Sequence, residues 1–176
     1  MESSPLQMQL DPLAALAERH AAGVFRYLRS LVGDGEAARD LTQDTFVRLR
    51  EFAADAGPGL VFAAARSCAL DHLRRRKVRE RMESAWDDRI VSRAALNAVE
   101  RPDRALEAAE FRADLLSALG LLPEEQRSVF HLSEIEGLSY AEIAQVLKLS
   151  PGTIASRKHH AVRKLREQLR RRGHGA

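Results

Sequence analysis

The chain is poor in cysteine and in aromatic residues, and each shortage excludes something. Cys68 is the one cysteine, so an internal disulfide or a zinc site built on several thiolates is excluded, and we interpret it as a small core residue. No apolar run approaches the roughly 20 residues that cross a bilayer, and the start, MESSPLQMQLDPL, lacks the basic and apolar segments of a signal peptide. We therefore expect a cytoplasmic protein without membrane insertion.

Signatures of catalysis are also missing. The six histidines form no HExxH motif and no paired ligand spacing with carboxylates, and no glycine-rich phosphate loop occurs. The adjacent pair His159 and His160 is a poor metal site, because neighbouring residues on a helix point about 100° apart. The sequence thus predicts no enzyme, no metal site and no cofactor.

The sequence does have helix-forming residues and unevenly placed charge. Hydrophobic residues make up 45% and charged residues 30% of the chain, with a net charge of +3. Basic residues crowd into residues 72–81 and into the last 20 residues, whereas residues 36–46 and 101–110 are acidic or balanced. Two basic zones separated by a neutral segment indicate that the chain contacts a polyanion at two places.

Apolar residues recur every three or four positions, and no strand pattern persists. We expect an all-α fold of two small helical domains: a three-helix bundle over 1–85 and a helix-turn-helix domain over 103–176, joined by a flexible linker over 86–102. The helices are expected from about Pro12, over Glu36–Phe52 and Leu60–Met82, and again from Arg104, Pro123, Ser139 and Pro151. The third of these helices begins apolar nearly all round and turns strongly basic after Leu73.

The strongest local pattern lies in LSYAEIAQVLKLS, residues 138–150, and the following SPGTIASRKHHAVRKL. Ser139 and Glu142 have the spacing of a capping box, and Ser150 followed by Pro151 starts a second helix after a short turn. This second helix has an apolar stripe and an opposite basic face. The combination predicts a helix-turn-helix whose second helix enters the major groove of DNA. A plain helical hairpin with a solvated basic face is the alternative.

Three segments together resemble the extracytoplasmic-function (ECF) sigma factors of bacterial RNA polymerase. Residues 121–169, from LLPEEQRSVF to REQL, resemble region 4 of these proteins, and ARDLTQDTFVRL (38–49) with ARSCALDHLRRRK (65–77) resembles region 2. The resemblance implies a dissociable subunit that brings the polymerase to promoters. It also implies three partners: core RNA polymerase, through its β′ clamp helices and β flap, promoter DNA, and an anti-sigma factor.

The resemblance also assigns roles to individual residues. Region 4 reads the −35 element, and its contacts fall on Ala155, Ser156, Arg157, Lys158, His159, His160 and Arg163. Region 2 melts and reads the −10 element, and its DNA contacts fall on Arg66, Ser67, Asp71, Arg74 and Arg75. The contacts of region 2 to the clamp helices fall on Asp40, Gln43, Asp44, Val47 and Arg48.

The sequence departs from the family in three places. Ala155 stands where a basic or polar residue is usual, and Lys158 stands where an apolar one is frequent, so Lys158 is expected to snorkel outward or to reach a phosphate. The connection AADAGPGLVFAAA, residues 53–65, is short, with Leu60 near a usual tryptophan, as in iron-citrate-type members. A rival reading is a stand-alone helix-turn-helix regulator, but such proteins usually dimerise and no dimer helix is evident.

Overall fold

A computed structural model describes residues 11–83 and 104–174, and their regular structure is helical. Helices α1 to α3 form the N-terminal half of the described chain, and α4 to α7 form its C-terminal half. Their bounds are α1 Pro12–Val32, α2 Gly35–Arg48, α3 Pro58–Glu83, α4 Arg104–Gly120, α5 Glu124–Phe130, α6 Tyr140–Leu147 and α7 Pro151–Arg171. The all-α class is confirmed, and the predicted linker over 86–102 lies outside the described residues.

Local sequence explains how the first two helices begin. The Asp11 carboxylate accepts a hydrogen bond from the Leu13 amide at 3.0 Å, and Pro12 occupies the first turn of α1. Gly33 ends that helix with a φ of 78°, a left-handed conformation that glycine adopts without steric cost. Asp34 then caps α2 by accepting from the amides of Glu36 and Ala37. Two helices are thereby joined by a very short turn.

The second helix ends earlier than the sequence pattern predicts. Helix α2 stops at Arg48, and Arg50–Phe52 forms a 3₁₀ turn instead of continuing to Phe52 as α-helix. The tighter turn keeps Leu49 and Ala53 in the core while Phe52 remains 58% exposed. Burial of these two apolar side chains accounts for the change of helix type.

The end of α5 widens into a π-helical turn over His131–Ile135. The Glu136 amide donates to the His131 carbonyl oxygen at 3.0 Å, which is the long i to i+5 bond of this conformation. This turn directs the Glu136 side chain back toward His131, whose Nε2 lies 3.1 Å from Glu136 Oε1.

The expected capping box and helix-turn-helix are both present. The Ser139 hydroxyl accepts from the Glu142 amide, and the Glu142 carboxylate accepts from the Ser139 amide at 2.8 Å. Lys148 makes the turn in a left-handed conformation with φ 56°, and Ser150 caps α7 by accepting from the Thr153 amide. The second helix of the motif therefore begins at the predicted residue.

The two halves share a hydrophobic core. Helix α3 packs against α6, and α1 packs against α5 as well as against α2 and α3. The Tyr27 ring lies between Phe62 of α3, at a centroid distance of 5.8 Å, and His131 of the C-terminal half, at 5.5 Å. A smaller cluster joins α4 to α7 through Leu119, Leu122, Ala161 and Leu165 among others. None of the described helices is long and apolar enough to cross a membrane.

Candidate nucleic-acid and polymerase interface

The outer face of α7 is open to solvent along the predicted DNA-reading surface. Its apolar stripe packs inward through Ile154, Ala161 and Leu165, all of which are buried. The opposite side is exposed at five of the seven predicted contacts: Ala155, Ser156, His159, His160 and Arg163. Helix geometry thus presents hydroxyl, imidazole and guanidinium groups together on one exposed face, which is compatible with the predicted contacts in a major groove.

Two basic residues on α7 are held by carboxylates of the same half. Arg157 Nη2 lies 2.8 Å from Glu125 Oε2, and Lys158 Nζ lies 2.5 Å from Glu134 Oε1. The Lys158 amine also lies 5.7 Å from the centroid of the Tyr140 ring, in a cation–π arrangement. The hydrogen bond from Lys158 lowers the pKa of Glu134, and the same bond raises the pKa of Lys158. The Lys158 side chain thus extends outward, as expected, and its amine binds the Glu134 carboxylate.

His159 and His160 lie side by side without converging on one point. Their ring centroids are 6.1 Å apart and their planes are 83° to each other. Within residues 11–83 and 104–174, no group of three histidine, cysteine or acidic side chains is placed to hold a metal ion. The two imidazoles therefore form an edge-to-face pair on the exposed side of α7.

The predicted polymerase-binding residues form one exposed strip on α2. Asp40, Gln43, Asp44, Val47 and Arg48 are all exposed, while Leu41, Thr45 and Phe46 of the same helix are buried. Val47 is 69% exposed, so it offers an apolar contact in the middle of a polar strip. This mixture of carboxylates around an apolar centre suits docking to a protein surface.

A groove between α2 and α3 connects this strip to the predicted −10 contacts. Asp71 accepts from two arginines, Arg48 at 3.5 Å and Arg74 at 3.2 Å. Arg75 lines the same groove and has no ion-pair partner among the described residues. Cys68 lies beneath the groove, only 2% exposed, and burial raises the pKa of its thiol. The cysteine is therefore a core residue, as expected.

Arg66 has a different environment from the other predicted −10 contacts. Its Nη1 lies 2.5 Å from Glu124 Oε1 and 3.4 Å from the Ser128 hydroxyl, so the side chain points into the contact with α5. Ser67, the next residue, is exposed. Three predicted DNA contacts thus have carboxylate partners that the sequence patterns did not predict. The pairs are Arg66 with Glu124, Arg157 with Glu125 and Lys158 with Glu134, and the two members of each pair are distant along the chain.

The short connection before α3 carries exposed apolar groups. Phe52 is 58% and Leu60 is 46% exposed, on either side of the turn that precedes Pro58. The exposed aromatic ring of Phe52 is the type of side chain on which an unpaired base stacks, whereas Leu60 offers apolar contact area only.

Comparison with known proteins agrees with this geometry. Residues 16–79 match the family model Sigma-70 region 2, and residues 112–165 match Sigma-70, region 4. The ECF RNA polymerase sigma factor SigE of Mycolicibacterium smegmatis is 35% identical over 88% of this chain, which spans 60% of the length of that protein. The ECF RNA polymerase sigma factor SigL of Mycobacterium tuberculosis is 32% identical over 92% of this chain and 90% of its own length.

The fold is also found in a solved complex. The sigma factor RpoE of Bartonella quintana, crystallised with the anti-sigma factor NepR, superposes with a TM-score of 0.70 over 92% of this chain and 98% of that chain, at 21% sequence identity. At this identity the likeness concerns the fold alone.

Proposed function

Because this chain belongs to the ECF RNA polymerase sigma factors, we propose that it binds core RNA polymerase and directs initiation at promoters with distinct −35 and −10 elements. The observation that carries this proposal is the presence, in one chain, of an exposed polar strip on α2 and an exposed DNA-reading face on α7. A stand-alone DNA-binding regulator has no use for the first of these surfaces. The chain acts as a non-catalytic initiation subunit in the cytoplasm, with an anti-sigma factor as its regulatory partner.

The polymerase contact is assigned to the strip of Asp40, Gln43, Asp44, Val47 and Arg48. All five side chains lie on one side of α2 and take no part in its buried face. Carboxylates at Asp40 and Asp44 favour a basic partner surface, and Val47 supplies the desolvated centre. Region 2 is assigned to residues 1–85 and region 4 to residues 103–176.

The −35 contact is assigned mainly to the side chains of α7 that have no carboxylate partner within residues 11–83 and 104–174. Ser156, His159 and His160 reach base edges, Ala155 allows close approach of the helix, and Arg163 contacts a phosphate or a guanine. Arg157 and Lys158 would each have to exchange a carboxylate for a phosphate, so their contribution to DNA affinity is smaller.

The −10 contact is assigned to the basic end of α3. Arg74 and Arg75 are exposed on the side that follows the α2–α3 groove, and Asp71 orients Arg74 and Arg48. Ser67 is exposed on the same helix and can also contact DNA. Arg66 can contact DNA only after its ion pair with Glu124 is broken. The short connection before Pro58 is the feature that supports an iron-citrate-type assignment. Permanganate footprinting of the melted promoter would test whether this connection changes strand melting.

The deciding experiment is transcription in vitro with core RNA polymerase and pooled genomic fragments, with and without this chain, read by sequencing of transcript 5′ ends. We expect start sites that depend on the chain and share upstream sequence elements. The triple variant Asp40→Ala, Gln43→Ala, Asp44→Ala should lose these transcripts, whereas Glu18→Ala, an exposed carboxylate on α1, should retain them. Tight operator binding by the chain alone, without initiation, would instead favour the alternative of a stand-alone helix-turn-helix regulator.

A further inference from the structure

The flanks of α7 carry two cations that bind carboxylates outside the helix. Arg157 and Lys158 follow each other in the sequence, and consecutive helix residues point about 100° apart, so their side chains leave α7 on opposite sides of its buried stripe. Arg157 Nη2 lies 2.8 Å from Glu125 Oε2, and Lys158 Nζ lies 2.5 Å from Glu134 Oε1. One ion pair therefore lies on each side of the face that is assigned to the −35 element.

The two carboxylates come from different elements of region 4. Glu125 belongs to α5, which packs directly against α7. Glu134 belongs to the π-helical turn that follows α5, and the hydrogen bond from Lys158 lowers the pKa of this carboxyl, so it is charged at neutral pH. The tertiary fold thus places two negative charges beside a basic helix.

A third arginine–carboxylate pair shows how a permanent contact is built in this protein. Arg26 of α1 donates twice to Glu136, from Nε at 3.1 Å and from Nη2 at 2.9 Å, and the Glu136 side chain is 6% exposed. This buried, bidentate geometry is the strong form of the contact. The side chains of Glu125 and Glu134 are instead 62% and 42% exposed. Exposed pairs are weak, so a DNA phosphate can compete for the cations that these two carboxylates hold.

The pairing changes how much positive charge α7 presents to DNA. Sequence-independent affinity comes from cations that replace the counterions of DNA phosphates. A cation paired with a carboxylate brings no net charge to the duplex, whereas Arg163 on the same helix has no ion-pair partner in the described part of the chain. The helix therefore meets DNA with fewer effective cations than its sequence suggests, and contacts to base edges supply a larger share of its binding.

We propose that Glu125 and Glu134 attenuate the DNA affinity of region 4: by pairing with Arg157 and Lys158, they limit sequence-independent binding of α7 to duplex DNA. The inference rests on the proposed function for the identity of the DNA site, but the attenuation is measurable with random-sequence DNA and without polymerase. Each carboxylate acts through the cation that it holds. Binding at a promoter then depends more on the bases that α7 reads than on the phosphates beside them.

Removing one carboxylate at a time tests the attenuation. The full chain and its variants Glu125→Gln and Glu134→Gln are titrated against a fluorescein-labelled, random-sequence 20-base-pair duplex from 50 to 200 mM salt, with anisotropy as the readout. Each variant should bind about two- to fivefold more tightly at 100 mM salt, the range expected for release of one exposed ion pair. The slope of log K against log salt should steepen by up to about 0.9, because one further phosphate is contacted.

The matched control is Glu18→Gln, which changes the net charge equally but removes an exposed carboxylate on α1. Its affinity and salt slope should equal those of the wild type. Circular dichroism spectra of all three variants should superimpose on the wild-type spectrum, since the altered side chains are partly or fully exposed.

A double-mutant cycle shows whether the gain passes through the paired cation. Arg157→Gln should have little effect on duplex affinity in the wild-type background, where Glu125 holds the guanidinium, but should cost about two- to fivefold in the Glu125→Gln background. The same cycle is run with Lys158→Gln and Glu134→Gln. Equal costs in the two backgrounds would assign the gain to the general field of the chain, and would overturn the proposal.

The two proposals fail in distinguishable ways. Core-dependent transcription reports the proposed function, whereas the duplex titrations contain no polymerase, so a chain that does not initiate can still show the attenuation. If the wild type initiates but Glu125→Gln and Glu134→Gln bind random-sequence duplex no more tightly than it does, the attenuation alone is overturned. The same conclusion holds if none of these proteins binds the duplex at 50 mM salt.

Discussion

Lys158 and Glu134 form an ion pair that joins α7, the predicted DNA-reading helix, to the π-helical turn, with Lys158 Nζ 2.5 Å from Glu134 Oε1. The same amine stands over the Tyr140 ring of the preceding helix. A lysine at a position where an apolar residue is frequent thus gains two partners inside region 4. Its side chain braces α7 against α6 and the turn.

We expect Lys158→Met to leave the salt dependence of −35 binding almost unchanged, because the amine is already neutralised by Glu134. Arg163→Ala should reduce the slope of log K against log salt by about 0.9, the value for one phosphate contact with duplex DNA. Fluorescence anisotropy on a −35 duplex from 50 to 300 mM salt measures both slopes. Equal losses for the two variants would make Lys158 a phosphate contact.

The bracing role of Lys158 has its own measurement. A double-mutant cycle with Lys158→Met and Glu134→Gln should give a coupling of about 0.2–1 kcal/mol in urea unfolding, since both side chains remain partly exposed. Arg163 has no ion-pair partner in the described part of the chain and serves as the uncoupled control. Zero coupling would mean that the pair has no structural role.

Replacing His159 and His160 by alanine should weaken discrimination between cognate and altered −35 sequences. Both rings are exposed and take no part in the buried stripe of α7, so the fold should be unaffected. Each base contact removed is expected to cost about 1–3 kcal/mol of discrimination. Competition binding with substituted −35 duplexes measures this loss, and core polymerase binding should be unchanged. If core binding and circular dichroism changed together with DNA binding, the histidines would be structural.

Arg74 and Arg75 should differ in their effect on the salt dependence of promoter binding. Arg75→Ala is expected to lower the slope by about 0.9, because one phosphate contact is lost. Arg74→Ala should lower it less, since Asp71 already accepts from Arg74 at 3.2 Å and offsets part of its charge. Titration of holoenzyme on promoter DNA at several salt concentrations measures both. An unchanged slope for Arg75→Ala would remove it from the phosphate contacts.

Helix starts and the outward face of α7 were predictable because their causes are local. Asp11, Ser139 and Ser150 cap helices through amides two or three residues away, and the 3.6-residue period alone places Ile154 inside and His159 outside. The early end of α2 was missed because burial of Leu49 and Ala53, a tertiary effect, decides it. Capping signals cannot report such burial.

Docking of the two halves was missed, although one signal for it was present in the sequence. A helix that is apolar nearly all round is covered on more than one side, and α3 begins in this way, with Val61, Phe62, Ala65 and Ala69 all buried. The ion-pair partners carried no such signal, because Arg26 and Glu136 are 110 positions apart. Pairings over that distance follow from the tertiary fold and leave no periodic pattern.

Glu136 should make stability depend on acid pH. Burial disfavours its charged form, but hydrogen bonds from His131 and Arg26 outweigh this and hold the pKa of Glu136 below its usual range. A carboxyl whose pKa is lower in the folded state stabilises the fold above its unfolded pKa of about 4.3, and this contribution is lost as the pH falls through the folded value. We therefore expect the urea unfolding free energy to fall below about pH 4.5.

The share of Glu136 in this acid sensitivity is separable from that of other carboxylates, such as Glu124, whose pKa is also lowered. Glu136→Gln keeps the shape of the side chain but removes its titration, so it should be less stable than wild type at pH 7, by about 1–3 kcal/mol, and the difference should shrink toward pH 3. Glu51→Gln, an exposed carboxylate outside the contact between the halves, should follow wild type at every pH. Protonation removes the charge that strengthens the hydrogen bonds of Glu136, so a contribution from that charge must vanish at low pH. If the difference in unfolding free energy between wild type and Glu136→Gln stayed constant from pH 7 to pH 3, the stabilisation would come from packing instead.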